Sequence, residues 1–272
     1  MSDLVENLRN REVQRRLDEV IVNGRVLYLV DDPEAMERQL GGDNLSSDHG
    51  LSLRDDIFTD EITPAWVCYY FDETLGDFPY VGFSSGGRFP IGRSQVKEGG
   101  FGVSVSGKRR GKGSSREASP YAELCAGIQV VVAENIERIY QQNCDNLGLL
   151  TCTDFSVIDR ITAGESIPLT VFTDGKDAVT RQIIEWGGLF EFNVTRIQGR
   201  VDLPAPEGGE GPQTITQKIF ARSRVVDLST EQVGCENIAV GDAGFFRTDL
   251  RFSHEYVTPM AASFFEQKVG AW

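Results

Sequence analysis

An α/β fold is predicted from three observations. The run 127–133 is apolar and β-branched, the pattern of a strand buried on both faces. Helical spacing brackets it, over 116–126 before and 136–147 after, with Gly148 placed to end the second helix. A further strand–helix pair lies upstream, Val26-Leu27-Tyr28-Leu29-Val30 and then Asp32-Pro33. Strands that alternate with helices imply a parallel sheet.

The elements follow in order. Leu4, Leu8, Val13 and Leu17 recur at helical spacing among charges, so residues 4–19 read as an amphipathic helix. Asn23-Gly24 breaks it before the strand at 26–30. Asp32 then caps a short helix with Pro33 at its first position and Gly41-Gly42 after its end. From 51 to 113 the chain is rich in Gly, Thr, Ser and aromatics. Here Trp66-Val67-Cys68-Tyr69-Tyr70 and Gly102-Val103-Ser104-Val105-Ser106 read as strands, the aromatic run as core. Residues 165–203 read as a hairpin or small sheet ending in Phe190-Glu191-Phe192-Asn193-Val194. Proline, glycine and glutamate then make 204–213 a linker. The chain thus divides into an N-terminal extension (1–50), a main domain (51–203), the linker, and a further segment (214–272).

Composition narrows the function classes. The 272 residues can bury a sizeable core. A net charge of −14 argues against a nucleic-acid partner, which requires broad basic surface. No run is long and apolar enough to span a bilayer. Met1-Ser2-Asp3 opens no basic-then-apolar leader, so a cytoplasmic location is expected. The five cysteines, Cys68, Cys125, Cys144, Cys152 and Cys235, form no Cys-x-x-Cys, and His49 and His254 stand far apart. No metal site in this chain is expected from them.

The chemistry-bearing stretch is Lys112-Gly113-Ser114-Ser115-Arg116-Glu117. Ser114 fits an N-cap and Glu117 sits three residues on, a capping box. A helix N-terminus so placed favours an anion, and Arg116 adds a fork suited to carboxylate or phosphate. Lys108, Arg109 and Arg110 lie just upstream. Two readings are open: an anion site, or a capped helix behind a solvated basic loop. A P-loop is excluded, because Gly111-Lys112 is followed by Gly113 and Ser106 stands where the first glycine is required.

Together with Ala126-Gly127-Ile128, the segment Ala133-Glu134-Asn135-Ile136-Glu137-Arg138-Ile139-Tyr140, Asn143 and Asn146-Leu147-Gly148-Leu149-Leu150, the segment Gly113-Ser114-Ser115-Arg116-Glu117 resembles the mobile swivel domain of the aconitase and isopropylmalate isomerase superfamily. Asp55-Asp56-Ile57-Phe58-Thr59-Asp60-Glu61-Ile62-Thr63-Pro64 is similar to that domain's opening Asp-loop. The resemblance covers roughly 50–165. It implies an aconitase-like swivel domain of β/β/α type, with an extra N-terminal α/β segment and a short C-terminal α/β extension. After the linker, 214–222, 241–250 and 254–260 resemble the opening helix, strand and turn of the family's cluster-bearing large subunit. Met260 stands where that turn usually brings a glutamine. Residues 214–272 then read as the truncated start of such a domain. Two arrangements fit: a permuted fusion with its remainder elsewhere in the polypeptide, or a small subunit whose extension docks on a separate partner.

The resemblance implies a hydro-lyase acting on a hydroxy di- or tricarboxylic acid, such as isopropylmalate or an aconitate-type substrate. A [4Fe–4S] cluster is expected on the missing domain or partner and none on this chain. By the same resemblance Ser114 is the base, Ser115 and Arg116 bind substrate carboxylate, and Asp60 orients the group. On local sequence Asp60 equally fits a turn residue. Arg88 and Arg93 are candidates for a second substrate arginine, with surface arginine the competing reading. The other functional class is a non-catalytic anion-binding or regulatory module that retains the swivel fold.

Overall fold

Valine-rich segments form the central strands. The computed structural model describes residues 2–201, 204–227, 232–253 and 257–270. In chain order come α1 (Ser2–Asn10), β1 (Glu19–Val20), β2 (Arg25–Tyr28), α2 (Pro33–Leu40), α3 (Thr59–Ile62), α4 (Gln95–Glu98), β3 (Phe101–Ser106), α5 (Ala118–Cys125) and β4 (Val130–Ala133). Then follow α6 (Arg138–Leu147), β5 (Leu150–Cys152), α7 (Ser156–Thr162), β6 (Ile167–Pro168), α8 (Thr170–Thr173), α9 (Ala178–Glu185), α10 (Leu189–Ile197), α11 (Ile215–Ser223), β7 (Val225–Asp227), β8 (Gln232–Val233) and α12 (Thr258–Val269). The chain folds into two compact units, Arg16–Phe172 and Met1–Arg15 with Thr173–Trp272. These units join residues 16–50 to the sheet-bearing part and put 173–201 with the C-terminal segment, where the sequence reading drew its boundaries at 50 and 203.

The first unit is built on a four-stranded parallel sheet in the order β2-β3-β4-β5. Val103 pairs with Val130, and Val130 with Leu150. Every residue of β3, β4 and β5 is buried, as expected for a parallel sheet covered on both faces. Each fully buried valine or leucine contributes roughly 1.5–3 kcal/mol. Helices α5 and α6 are the crossovers that parallel pairing requires. Asp32 caps α2 by accepting the Ala35 amide at 2.9 Å, with Pro33 following it. Gly148 ends α6 at φ +85°, a conformation suited to glycine. The extra N-terminal segment supplies the edge strand β2.

Three expectations about the chain up to this point fail. Residues 66–70 form no strand: Val67 N bonds Pro64 O at 2.8 Å and Tyr70 N bonds Val67 O at 3.0 Å, a run of turns. The aromatic run is not simply core either, since Val67 is buried while Trp66 and Tyr69 are 60% and 72% exposed. Trp66 and Tyr70 lie against Phe78 instead. The amphipathic helix stops at Asn10, short of the expected residue 19.

The second unit is mainly helical. The hairpin expected over 165–203 is the helices α9 and α10; only Ile167–Pro168 is a strand, paired with β1 in the first unit. Asp177 starts α9 by accepting the Val179 and Thr180 amides, both at 3.0 Å. Val179, Ile183 and Trp186 then pack with Val13, Phe192 and Val194, so Val13 enters this core without being helical. The linker has no regular element, but its ends are tied: Arg224 donates to Pro204 O and Ala243 O, both at 2.8 Å, and Glu207 N donates to Asp242 at 3.0 Å. Helix α11 stands where the sequence predicts one, opened by the Thr214–Gln217 capping box. The strand expected at 241–250 is irregular chain with one bridge, Arg224 to Phe246. Of the expected turn at 254–260, His254-Glu255-Tyr256 lies outside the described residues.

Candidate active site

Two loops of the first unit lace together. Asp55 accepts the Lys108 amide at 2.7 Å, and Asp56 N donates to Lys108 O at 2.7 Å. Ile57 O accepts the amides of Gly111 and Lys112 at 2.9 and 3.0 Å, and Thr59 N donates to Lys112 O at 2.8 Å. The approach is close enough that Gly111, at φ +79°, admits no side chain: a Cβ there would meet the Tyr140 ring at 2.1 Å. Asp56 and Arg109 also hold positive φ, 55° and 58°, though neither is glycine. Backbone held in this region is maintained by surrounding structure and concentrates at functional sites. Here an ion pair joins the two strained residues, Arg109 Nη1 to Asp56 Oδ1 at 3.2 Å, and Lys112 Nζ reaches the same oxygen at 2.9 Å. The Lys112 hydrogen bond is the main cause that holds the Asp56 carboxyl below the usual value.

This lacing brings Ser114, Arg116 and Asp60 together. Arg116 Nη1 donates to Asp60 Oδ1 at 2.5 Å and to Thr63 O at 3.0 Å. The Ser114 hydroxyl lies 3.3 Å from Thr59 Oγ1. Beneath them Thr63 Oγ1 and Ser119 Oγ share a buried hydrogen bond of 2.6 Å. Ser114 and Ser115 are exposed, and the Arg116 side chain is 21% exposed. The Asp60 carboxylate, 62% exposed, thus pairs with the Arg116 guanidinium.

The expected capping box does not form. Helix α5 begins at Ala118 with Glu117 at its N-cap and no side-chain cap bond. Its first residues, Ala118, Ser119 and Pro120, are buried, and Pro120 has no N–H to offer. The groups this turn offers to an anion are the Arg116 guanidinium and the hydroxyls rather than a capped helix end. Desolvation of its carboxyl raises the pKa of Glu117.

Arg88 and Arg93 are engaged elsewhere. Arg88 pairs with Glu34 and Glu37 of α2 at 2.7 and 3.6 Å. Arg93 pairs with Asp77 at 3.0 Å and lies 4.9 Å over the Phe78 ring. Neither bonds to the Ser114–Arg116 turn.

Sequence reasoning missed two neighbours. Arg110 looks like part of a solvated basic loop, yet it is fully buried. Its Nη2 donates to Glu123 Oε1 at 2.5 Å, to the Tyr80 hydroxyl at 2.6 Å and to Ser104 at 3.2 Å. Tyr140 donates to the other Glu123 oxygen at 2.5 Å. Burial drives the Tyr80 hydroxyl well above its ordinary pKa, so it stays a donor. A glutamate seven residues after Arg116, inside an otherwise apolar helix face, was the available signal. The second neighbour is Cys68, whose thiol lies 3.8 Å from Thr63 O and 3.7 Å from Pro64 O. Burial raises its pKa and the Arg116 charge opposes the rise.

Among the described residues no group of three or more His, Cys, Asp or Glu side chains is placed to hold a metal ion, and the five cysteines are free. The donor set does not fit an iron–sulfur cluster. No described helix is long and apolar enough to cross a membrane.

Comparison with known proteins points the same way as the loops. The model of the aconitase C-terminal domain family matches residues 88–154. The 3-isopropylmalate dehydratase small subunit of Halothermothrix orenii is 36% identical over 115 residues, 36% of this chain and 67% of that protein. Its counterpart in Nitratidesulfovibrio vulgaris is 32% identical over 159 residues, 53% of this chain and 91% of that protein. The isopropylmalate/citramalate isomerase small subunit of Methanocaldococcus jannaschii is 32% identical over 138 residues, 50% of this chain and 78% of that protein.

Proposed function

The chain belongs to the aconitase C-terminal (swivel) domain family, with the small subunits of 3-isopropylmalate dehydratase, and from that membership we propose that it is the swivel component of a hydro-lyase. Its substrate is a hydroxy di- or tricarboxylic acid, isopropylmalate or an aconitate-type acid. A [4Fe–4S] domain or subunit, as membership of this family implies, completes the site. That partner is a separate large subunit or the remainder of the same polypeptide, and the assembly is cytoplasmic.

One observation supports this reading: the Arg116 guanidinium is fixed by Asp60 and Thr63 O, and the Ser114 hydroxyl, two residues before it, contacts Thr59 of the same Asp-loop. Both of those bonds run through Nη1, so the fork keeps further N–H donors for a substrate carboxylate. With the carboxylate so anchored, the proton on the adjacent carbon is presented to Ser114. A serine hydroxyl is a weak base unless its alkoxide is stabilised. The Arg116 charge supplies that stabilisation in a turn held on both sides by the Asp-loop. Ser115, exposed beside them, offers a further donor to the carboxylate.

The test is reconstitution. The chain is mixed anaerobically with a cluster-bearing large subunit of isopropylmalate dehydratase, and unsaturated acid is followed from 2-isopropylmalate and from citrate. Turnover with either acid, abolished in Arg116→Ala, is expected. Binding of these acids without turnover would favour the non-catalytic anion-binding module instead.

A further inference from the structure

Tyr28 is the last residue of the edge strand β2, and a cavity of about 570 Å3 opens there, at the carboxyl end of the parallel sheet. Its size is within the usual range for small-molecule sites, and its position is where open α/β sheets bind ligands. Its walls include Leu51, Leu53 and Ile158 as apolar surface, and His49 and Asp159 as polar groups. None of the lining residues belongs to the Ser114–Arg116 site.

The polar groups share one character. Tyr28 is only 3% exposed and lines the cavity, and its hydroxyl makes no hydrogen bond among the described residues. Burial, reinforced by the Asp159 charge, pushes its pKa up to about 12, so it remains a neutral hydroxyl with lone pairs to offer. Asp159 is exposed and makes no ion pair among the described residues. Asp48 adds a second carboxylate to the lining. His49 accepts the Leu51 amide on Nδ1 at 2.9 Å, and burial lowers its pKa, which keeps the ring neutral. Its ring meets the Tyr28 ring edge-on at 4.7 Å. No lysine or arginine lines the cavity. The site thus offers two negative charges, a tyrosine hydroxyl and aromatic faces, with an aliphatic wall beside them.

We propose that this cavity is a second small-molecule site, for an organic ammonium with a short apolar tail. The ammonium would donate to Asp159 and to the Tyr28 hydroxyl, and the tail would cover Leu51, Leu53 and Ile158. Ammonium donors to a carboxylate are the strong class of hydrogen bond, and the aromatic faces favour a cation.

The experiment titrates the ¹⁵N-labelled full chain with 2-phenylethylamine and, separately, with 3-phenylpropanoate, an acid of similar size, in physiological salt. The amine is expected to shift the amides of Tyr28, His49, Leu51 and Asp159 saturably, and the acid to leave them unmoved. Asp159→Asn should weaken the amine about tenfold or more, and Tyr28→Phe about threefold or more. Tyr28→Phe removes only an unpartnered hydroxyl, and Asp159→Asn lies on an exposed face, so both variants should fold, checked by unchanged spectra elsewhere. Equal binding of amine and acid, no saturable shift, or amine binding unchanged in both variants would overturn the proposal. The last result would mean diffuse attraction to a chain of net charge −14.

Discussion

Arg110 and Glu123 form an ion pair wholly removed from water, with both side chains 0% exposed. Such a pair is a weak source of net stability, because desolvating two charges offsets their attraction. Breaking it is different. Arg110→Ala would leave the Glu123 carboxylate in the core with only two tyrosines as donors, and a cost of about 3–5 kcal/mol is expected. Replacing both partners by apolar residues of similar size, Arg110→Met with Glu123→Leu, should recover most of that loss. Urea unfolding of the three proteins measures it; a single variant that costs under about 1 kcal/mol would contradict the burial described. The pair also brackets the candidate site in sequence, with Ser114 and Arg116 between its members. Tyr80, another partner in the network, holds φ +66°. Strain at Tyr80, Asp56 and Arg109 is thus matched by bonds that fix each of them.

Among the elements, the cap of α9 has a pH signature. Burial is the largest influence on the Asp177 carboxyl and raises its pKa, but hydrogen bonds from Thr180 and the Val179 amide outweigh it and hold it below 3.8. A depressed folded pKa gives stability that is present above the unfolded value and lost as pH falls through the folded one. Asp177→Asn keeps a capping oxygen without the charge. Wild type should therefore unfold at higher urea than the variant near neutrality, with the gap closing below about pH 4. A gap constant down to pH 2 would refute the cap's charge dependence. This element also marks a limit of sequence reading. Strands β3 and β4, helices α5 and α6 and the Asp32 cap of α2 were legible from hydrophobic period, with cap residues agreeing at α2 and at the end of α6 but not at the start of α5. Phe190-Glu191-Phe192-Asn193-Val194 alternates like a strand but is helix, because Phe192 and Val194 are drawn into a core with Val13 and Ile183. That pairing is long-range and leaves no local mark. The sequence singled out Ser114, Arg116 and Asp60 through two short motifs, and the Arg116–Asp60 ion pair joins those motifs. It did not single out Arg110, since a buried charge differs from a solvated one only through distant Tyr80 and Tyr140.

At the scale of the whole molecule, the segment 204–212 is the expected point of first cleavage. Its proline–glycine–glutamate composition supports no regular element, and Ala205, Glu207, Glu210 and Gly211 are exposed. Brief digestion with a glutamate-specific protease should cut at Glu207 or Glu210 before any site within 110–165. Earlier cuts inside 110–165 would contradict the sheet-bearing unit as the stable part of the chain.

The central claim is that Ser114, beside an oriented Arg116, acts as the base of a hydro-lyase, and it is tested most directly by steady-state kinetics of Ser114→Ala with the cluster-bearing partner. Because the base acts mainly in the transition state, kcat should fall about 100- to 10,000-fold while KM changes little. The variant should stay folded by circular dichroism, since Ser114 caps no helix here and its hydroxyl makes one long contact, 3.3 Å to Thr59 Oγ1. A folded Ser114→Ala protein with near-normal kcat would contradict the assignment.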